Sequence, residues 1–419
     1  MATTTTVGRD GLRPRTGPRD AGRANHPSSR PTNKRQERRG KRLTRAVQER
    51  FVANEQRAQP LAFYVLALVV AILTLLGLVM VLSASSIAAI HREQSGWMYF
   101  QRQVIWALLG FGAFMLALKL RYDWWRSFFR IGLFASFILM LLTFVPGIGR
   151  TTNGARAWID LGPVGFQPSE FMKLALLVYT ADLLSRRADD MHRPARTLRP
   201  AMIVLTVACT LVMLQHDLGN AIAMAAIVFA VLFFAGTPLR PLAGYGGVMG
   251  GAAIASMFAT AARKARWDAF IDLTANRDDI GYQVYQARIA IASGGLAGAG
   301  LGAGKAKWGF LPEAHTDFIF AVIGEEIGLL GVVVVCGLFI VLGYMGVQVA
   351  LRCTDRFGML LAGGITAWLL VQALINIGGV VGLMPLTGIT LPFVSFGGTS
   401  LLTTMVAAGL LLNVARSNP

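Results

Sequence analysis

Beyond Pro60 the chain alternates long apolar runs with short polar breaks, and the runs approach the length a helix needs to cross a hydrocarbon core, roughly 17 to 25 residues. They predict spans over Leu61 to Ser83, Val104 to Leu118, Phe128 to Val145, Phe171 to Leu184, Ala201 to Gln215 and Asn220 to Gly236. Four more follow over Leu242 to Ala262, Glu326 to Ala350, Met359 to Val380 and Ser400 to Val414. About ten spans describe an all-α polytopic membrane protein, and an even count leaves both termini on one side of the bilayer.

Composition agrees with that pattern. With 54% hydrophobic and 15% charged residues and a mean hydropathy of +0.53, an ordinary soluble protein is excluded. The net charge of +18 is unevenly placed. Residues 1–59 form a tail rich in Arg, Lys, Thr, Pro and Gly, which cannot bury a core and is expected to be disordered; residues 60–419 carry the spans. The run KRQERRGKRLTR, Lys34 to Arg45, fits attraction to anionic lipid on the cytoplasmic face better than RNA binding, because the first span is close by. No removable signal peptide is expected, since no short apolar segment with a cleavage site comes before the first span, and that span is expected to act as the insertion signal. Cys209, Cys336 and Cys353 have neither pairing nor metal-ligand spacing.

The Lys and Arg bias of the short loops sets the orientation. With the tail inside, KLRYDWWRSFFR, SRRADDMHRPARTLR, TPLR and LRCTDR are inner loops, while the outer loops GPVGF and QHDLG carry no Lys or Arg. The polar and Gly-rich segments then fall outside, among them the large loop over residues 262–317 and GLMPLTGITLPFVSFGGTS. An enzyme acting outside crowds its polar groups at one mouth, whereas a transporter places them near the midplane, open to both sides.

Four carboxylates gather in LPEAHTDFIFAVIGEEIG: Glu313, Asp317, Glu325 and Glu326, with His315 between. Charge beside hydrocarbon is costly enough that such residues face a cavity or a partner. Asp317 at the mouth of an apolar helix fits either an N-cap or a proton acceptor. One of Glu325 and Glu326 is expected to pair with a cation such as Lys173. Glu170 and Lys173, at spacing i, i+3, also suit a local ion pair. Arg263, Arg266 and Arg288 suit plain solvation and pyrophosphate binding equally. ASGGLAGAGLGAGKAKWG lacks the preceding strand and the GK[ST] ending of a nucleotide loop.

LPEAHTDFIFAVIGEE, NGARAWIDLG, QPSEFMKLA, GYQVYQARIAIASGGLAGAGLG and GLMPLTGITLPFVSFGGTSLL, in this order, resemble the SEDS family of shape, elongation, division and sporulation proteins. The resemblance runs from about the first span to the end. It implies a peptidoglycan glycosyltransferase that polymerises lipid II outside the bacterial cytoplasmic membrane and releases undecaprenyl pyrophosphate. Its implied partners are a class B penicillin-binding transpeptidase and other division proteins, and no nucleic acid. Asp317 matches the family's essential Asp and is expected to be the general base. Lys173, Glu170 and Arg156 resemble outer-cavity residues, while Arg263, Arg266, Tyr282, Gln283 and Arg288 resemble positions that face substrate. His315 is expected to orient a neighbour. In PLTGITLPFVSFGGTS, Gly397 and Gly398 turn a wall of the cavity and Ser395 is a candidate hydrogen-bond donor to sugar or phosphate. No cofactor is identified, and a divalent cation, Mg or Mn, is left open. The wording EAHTDFIFAVIGEEIG is nearer the division branch, which implies the septum, than the elongation branch. A lipid II flippase is the alternative of another class. It needs charged groups on both faces, and the inner loops hold no carboxylate cluster to match the outer mouth.

Overall fold

The computed structural model describes residues 61–87, 95–152, 154–160, 165–276 and 281–417. The basic tail, with the disorder expected of residues 1–59, lies outside the described residues. Ten helices coincide with the ten apolar runs: α1 (Leu61–Ile87), α2 (Met98–Lys119), α3 (Tyr122–Leu142), α4 (Pro168–Arg186), α5 (Leu198–Leu214), α6 (Leu218–Phe234), α7 (Leu239–Met257), α11 (Leu329–Arg352), α12 (Arg356–Val381) and α13 (Gly398–Ser417). The large loop holds α8 (Ala261–Ile271) and α9 (Tyr282–Gly294), and α10 (Ile319–Glu326) follows directly after it.

Six of these helices, α1, α2, α3, α11, α12 and α13, are long and apolar enough to cross a membrane, and α5 and α6 are shorter apolar helices. The chain is a multi-pass membrane protein. Helix α4 carries Glu170, Lys173, Asp182 and Arg186, charges that lipid would not accept. It tolerates the first three because they are buried against protein and paired: Lys173 with Glu170, and Asp182 with Arg126. Helix α12 is the hub, packing on α4, α6, α11 and α13. Helix α13 lies along α2 with small residues at the seam. A Cβ on Gly409 would come 2.6 Å from the Phe114 carbonyl, so only glycine permits the approach.

Two features of the outer side depart from the sequence reading. The segment after α3, expected to be a loop, folds into a three-stranded antiparallel sheet of β1 (Gly149–Thr152), β2 (Ala155–Asp160) and β3 (Gly165–Phe166), in that order. Arg150 pairs across to Trp158, and the Arg156 amide donates to the Gln215 carbonyl, tying the sheet to the end of α5. Second, the span expected from Glu326 begins at Leu329. The chain breaks at Gly328 with φ +76°, where a Cβ would sit 2.4 Å from the Gly298 nitrogen. Helix α10 is therefore a short, fully buried element that hands Asp317 to one end and Glu325 and Glu326 to the other.

Candidate functional site

The partners of Glu325 and Glu326 show how the site is held. Lys307, in the Gly-rich stretch after α9, donates to Glu326 Oε1 at 2.9 Å, and both side chains are buried. Ser83 Oγ donates to Glu326 at 2.7 Å and the Gly302 amide at 3.0 Å. Glu325 accepts from the amides of Lys305 and Ala306. The expected pairing of one of these glutamates with Lys173 is thus incorrect. Lys173 is fully buried on α4 and pairs with Glu170 at 2.8 Å, with a further bond to Gln372 Oε1 at 3.1 Å. A glutamate at the foot of α10 finds its cation on the chain that folds over it, because the Gly-rich segment approaches more closely than any bulkier backbone could. A Cβ on Gly304 would meet Glu325 Oε2 at 2.8 Å.

With α10 so anchored, Asp317 opens onto a cleft of about 720 Å³. Neither Asp317 nor Thr316 caps α10; the N-cap position is Phe318, which makes no side-chain bond. The backbone there is set by other groups. Asn376 Nδ2 donates to the Asp317 carbonyl at 2.9 Å, and Glu313, at φ +55°, accepts from the Thr316 amide and the Thr316 hydroxyl. The Asp317 carboxylate itself makes no hydrogen bond among the described residues. It is half-buried, and desolvation pushes its pKa up to about 7. The Glu313 charge adds to the rise, the Arg266 guanidinium opposes it and Asp217 adds a smaller share. A carboxyl poised near neutrality, in reach of a cleft and bonded to nothing, is equipped to take a proton.

The cleft walls come from distant parts of the chain. Tyr99, Arg102 and Trp106 stand on one face of α2, Arg150 and Trp158 come from the sheet, and Arg266 and Gln283 come from α8 and α9. Its lining also takes in Glu170, Asp217 and Asn220. Asp217 caps α6, accepting from the Asn220 amide at 3.0 Å, from Asn220 Nδ2 at 2.8 Å and from Gln167 Nε2 at 3.1 Å, while burial raises its pKa. Gly397 and Gly398 form the rim at the start of α13, where any Cβ on Gly398 would collide with the Trp106 indole at 2.1 Å. At Gly388, φ +73°, a Cβ would lie 3.6 Å from Asp317 Oδ2.

Of the residues singled out from sequence, Asp317, Glu170, Arg266, Gln283, His315, Gly397 and Gly398 line this cleft. His315 packs, with its ring tilted, between Tyr99, 4.6 Å away, and Phe396, 5.5 Å away, and its carbonyl accepts from the Phe396 amide, so it joins α2 to the α13 rim. Lys173 lies behind Glu170 rather than in the lining. Arg288 lines a small neighbouring hollow with Arg266 and donates to the Gly382 carbonyl at 3.1 Å. Arg156, Arg263 and Tyr282 are outside the lining of the cleft, and Arg263 donates to the Ser256 carbonyl. Ser395 is buried and its hydroxyl accepts from the Leu391 amide, which is a turn-forming bond. Arg102, Arg150 and Asn220 were missed. Arg102 stands two residues before the span predicted from Val104, Arg150 three residues before NGARAWIDLG, and Asn220 at the very start of a predicted span, and nothing in spacing alone joins them. Among the described residues no group of three or more His, Cys, Asp or Glu side chains is arranged to hold a metal ion.

The sequence model of the FtsW, RodA and SpoVE family, described as cell cycle protein, matches residues 63–419. A Geobacter sp. (strain M18) protein named "Probable peptidoglycan glycosyltransferase FtsW" is 41% identical over 344 residues, 82% of this chain and 94% of that relative. A solved structure described as "Structural coordination of polymerization and crosslinking by a peptidoglycan synthase complex" superposes with a TM-score of 0.69 at 31% identity, covering 84% of this chain and 97% of the other. The rod shape determining protein RodA of Thermus thermophilus gives a TM-score of 0.62 at 31% identity, covering 84% and 96%.

Proposed function

This chain belongs to the FtsW, RodA and SpoVE family of cell cycle proteins, and from that membership and the cleft we infer that it is a peptidoglycan glycosyltransferase of the division branch. Its substrate is lipid II, which it polymerises on the outer face of the bacterial cytoplasmic membrane, with both termini in the cytoplasm. Its partner is a class B penicillin-binding transpeptidase within the division machinery at the septum. The basic tail, residues 1–59, contributes attraction to the inner lipid surface.

One observation carries the reading: an unbonded carboxylate, Asp317, whose pKa is pushed up to about 7, facing a large cleft that also presents unpaired guanidinium groups. The acceptor sugar hydroxyl attacks the anomeric carbon of the growing strand and gives its proton to Asp317. The bond from that carbon to the phosphate oxygen breaks, and undecaprenyl pyrophosphate departs with the electron pair. Arg266, close enough to oppose the proton affinity of Asp317 by its charge, is positioned to stabilise the departing anion. Among the described residues, no three of the carboxylates and imidazoles are grouped so as to hold a metal ion. A Mg or Mn ion, left open above, would find its ligands on the pyrophosphate itself, and no step here is routed through one.

The test is glycan-strand formation from purified lipid II by the full chain in vesicles, together with its transpeptidase whose own active site is blocked. Polymer from the wild type and none from a folded Asp317→Asn variant is the expected result. Equal polymer from both would remove Asp317 from the chemistry, and lipid II movement across the vesicle without polymer would favour a flippase.

A further inference from the structure

The reaction proposed above brings two polyprenyl pyrophosphates into one cleft, because the growing strand and the incoming lipid II each carry one. The leaving pyrophosphate is attached to the carbon under attack and must lie near the base. The acceptor's own pyrophosphate lies two sugar rings away from its reacting hydroxyl. One cluster of cations cannot serve both.

The cleft holds two sets of guanidinium groups. Arg266 comes from α8 and acts on Asp317 through its charge, whereas Arg102 and Arg150 come from other contributors to the lining, α2 and the sheet. Arg102 and Arg150 both line the cleft, are exposed to it, and come from separate elements, α2 and β1. Among the described residues neither makes a side-chain hydrogen bond or an ion pair, although Glu170, Asp217, Glu313 and Asp317 line the same cleft. Two exposed cations that leave even the unbonded Asp317 carboxylate of the same cleft unpaired are placed for an anion from elsewhere. Beside them stand the indoles of Trp106, one turn beyond Arg102 on the same face of α2, and of Trp158, directly across from Arg150 in the sheet. Aromatic faces beside a cationic end suit a sugar chain that terminates in a pyrophosphate.

From this placement we infer that Arg102 and Arg150 form the acceptor subsite, holding the pyrophosphate of the incoming lipid II, while Arg266 serves the pyrophosphate that leaves the donor strand. The inference rests on the proposed glycosyl transfer and assigns direction within it. Lipid II enters along α2 and the sheet, its disaccharide crosses the tryptophans, and its free hydroxyl reaches Asp317. After transfer the lengthened strand carries the former acceptor pyrophosphate, which must pass from the Arg102 and Arg150 end to the Arg266 end before the next cycle.

The experiment uses the full chain with its inactivated transpeptidase in vesicles, measuring polymerisation rate against lipid II concentration, with undecaprenyl pyrophosphate added as product inhibitor. The double variant Arg102→Gln with Arg150→Gln is expected to raise the KM for lipid II by roughly tenfold or more, as loss of charge-assisted contacts would, while inhibition by undecaprenyl pyrophosphate stays within twofold of wild type. Arg266→Gln is expected to weaken that inhibition and lower kcat. Arg102→Lys with Arg150→Lys, which retains both charges, should recover most of the lost affinity. An unchanged KM in the Gln double variant, or equal weakening of product inhibition by both sets of variants, would overturn the assignment. The underlying reading fails separately, if Asp317→Asn still makes polymer in the same vesicles or if the wild type makes none.

Discussion

Asn376 on α12 donates its side-chain amide to the main-chain carbonyl of Asp317 at 2.9 Å and to that of Ile389 at 2.7 Å, so one buried residue fixes both the turn that bears the Asp317 carboxylate and the loop facing it. The bonds go to backbone, and the carboxylate is left unbonded for a substrate. Asn376→Ala leaves both carbonyls without this donor. It should cost roughly 1–3 kcal/mol of stability and lower kcat, with the pH dependence of the residual activity unchanged because the carboxylate itself is untouched. Thermal unfolding in detergent and a pH series on the variant check this.

The raised pKa of Asp317 has a cost in stability. The folded protein holds that proton up to about pH 7, whereas the unfolded chain gives it up in the ordinary carboxylate range. The folded state therefore binds the extra proton between those values, and stability declines as pH rises through that window and remains lower above it. Asp317→Asn removes the effect. The variant should melt higher than wild type at pH 8, with the gap narrowing towards pH 5.

Lys307 and Glu326 form a buried ion pair that anchors the Gly-rich segment beneath α10. Lys307→Met leaves the glutamate charged, buried and short of its cation, which costs roughly 3–5 kcal/mol. Lys307→Met with Glu326→Gln, having no orphaned charge, should recover part of that loss. Comparing the melting temperatures of the two variants separates the ion pair from simple loss of packing.

Close backbone approach makes a further prediction. A Cβ on Gly294 would lie 2.0 Å from the Gly324 carbonyl, so Gly294→Ala must force α9 away from α10 at a cost of roughly 1–3 kcal/mol or more. Gly337 on α11 has nothing within 4 Å of its Cβ position, and Gly337→Ala should be neutral or slightly stabilising. Expression level and melting temperature of the pair provide the contrast.

The ten apolar runs were legible because a membrane helix must satisfy its backbone internally over a set length, and hydropathy reports that directly. The pairing of Glu170 with Lys173 was legible too, since spacing i, i+3 brings two side chains together whatever the rest of the chain does. A cation partner for Glu325 or Glu326 was expected, but Lys173 was the wrong one for the complementary reason. The cation of Glu326, Lys307, reaches it through turns and glycines that no periodicity encodes. The sheet was missed because its strands are only a few residues long and lie between turn-forming residues, where a period of two hardly registers. Arg102 fell just before the predicted start of its span at Val104, while α2 begins at Met98; that extra turn places the guanidinium in the cleft. Arg150 gained significance only from strand pairing with Trp158.

The most direct test of Asp317 as the base is the pH dependence of lipid II polymerisation by the wild-type chain with its inactivated transpeptidase. Asp317 must be ionised to accept a proton, so the rate should climb about tenfold per pH unit below about pH 7 and level off above it. A rate that is flat from pH 5.5 to 8.5, or a residual Asp317→Asn activity that climbs through the same pH, would contradict the account.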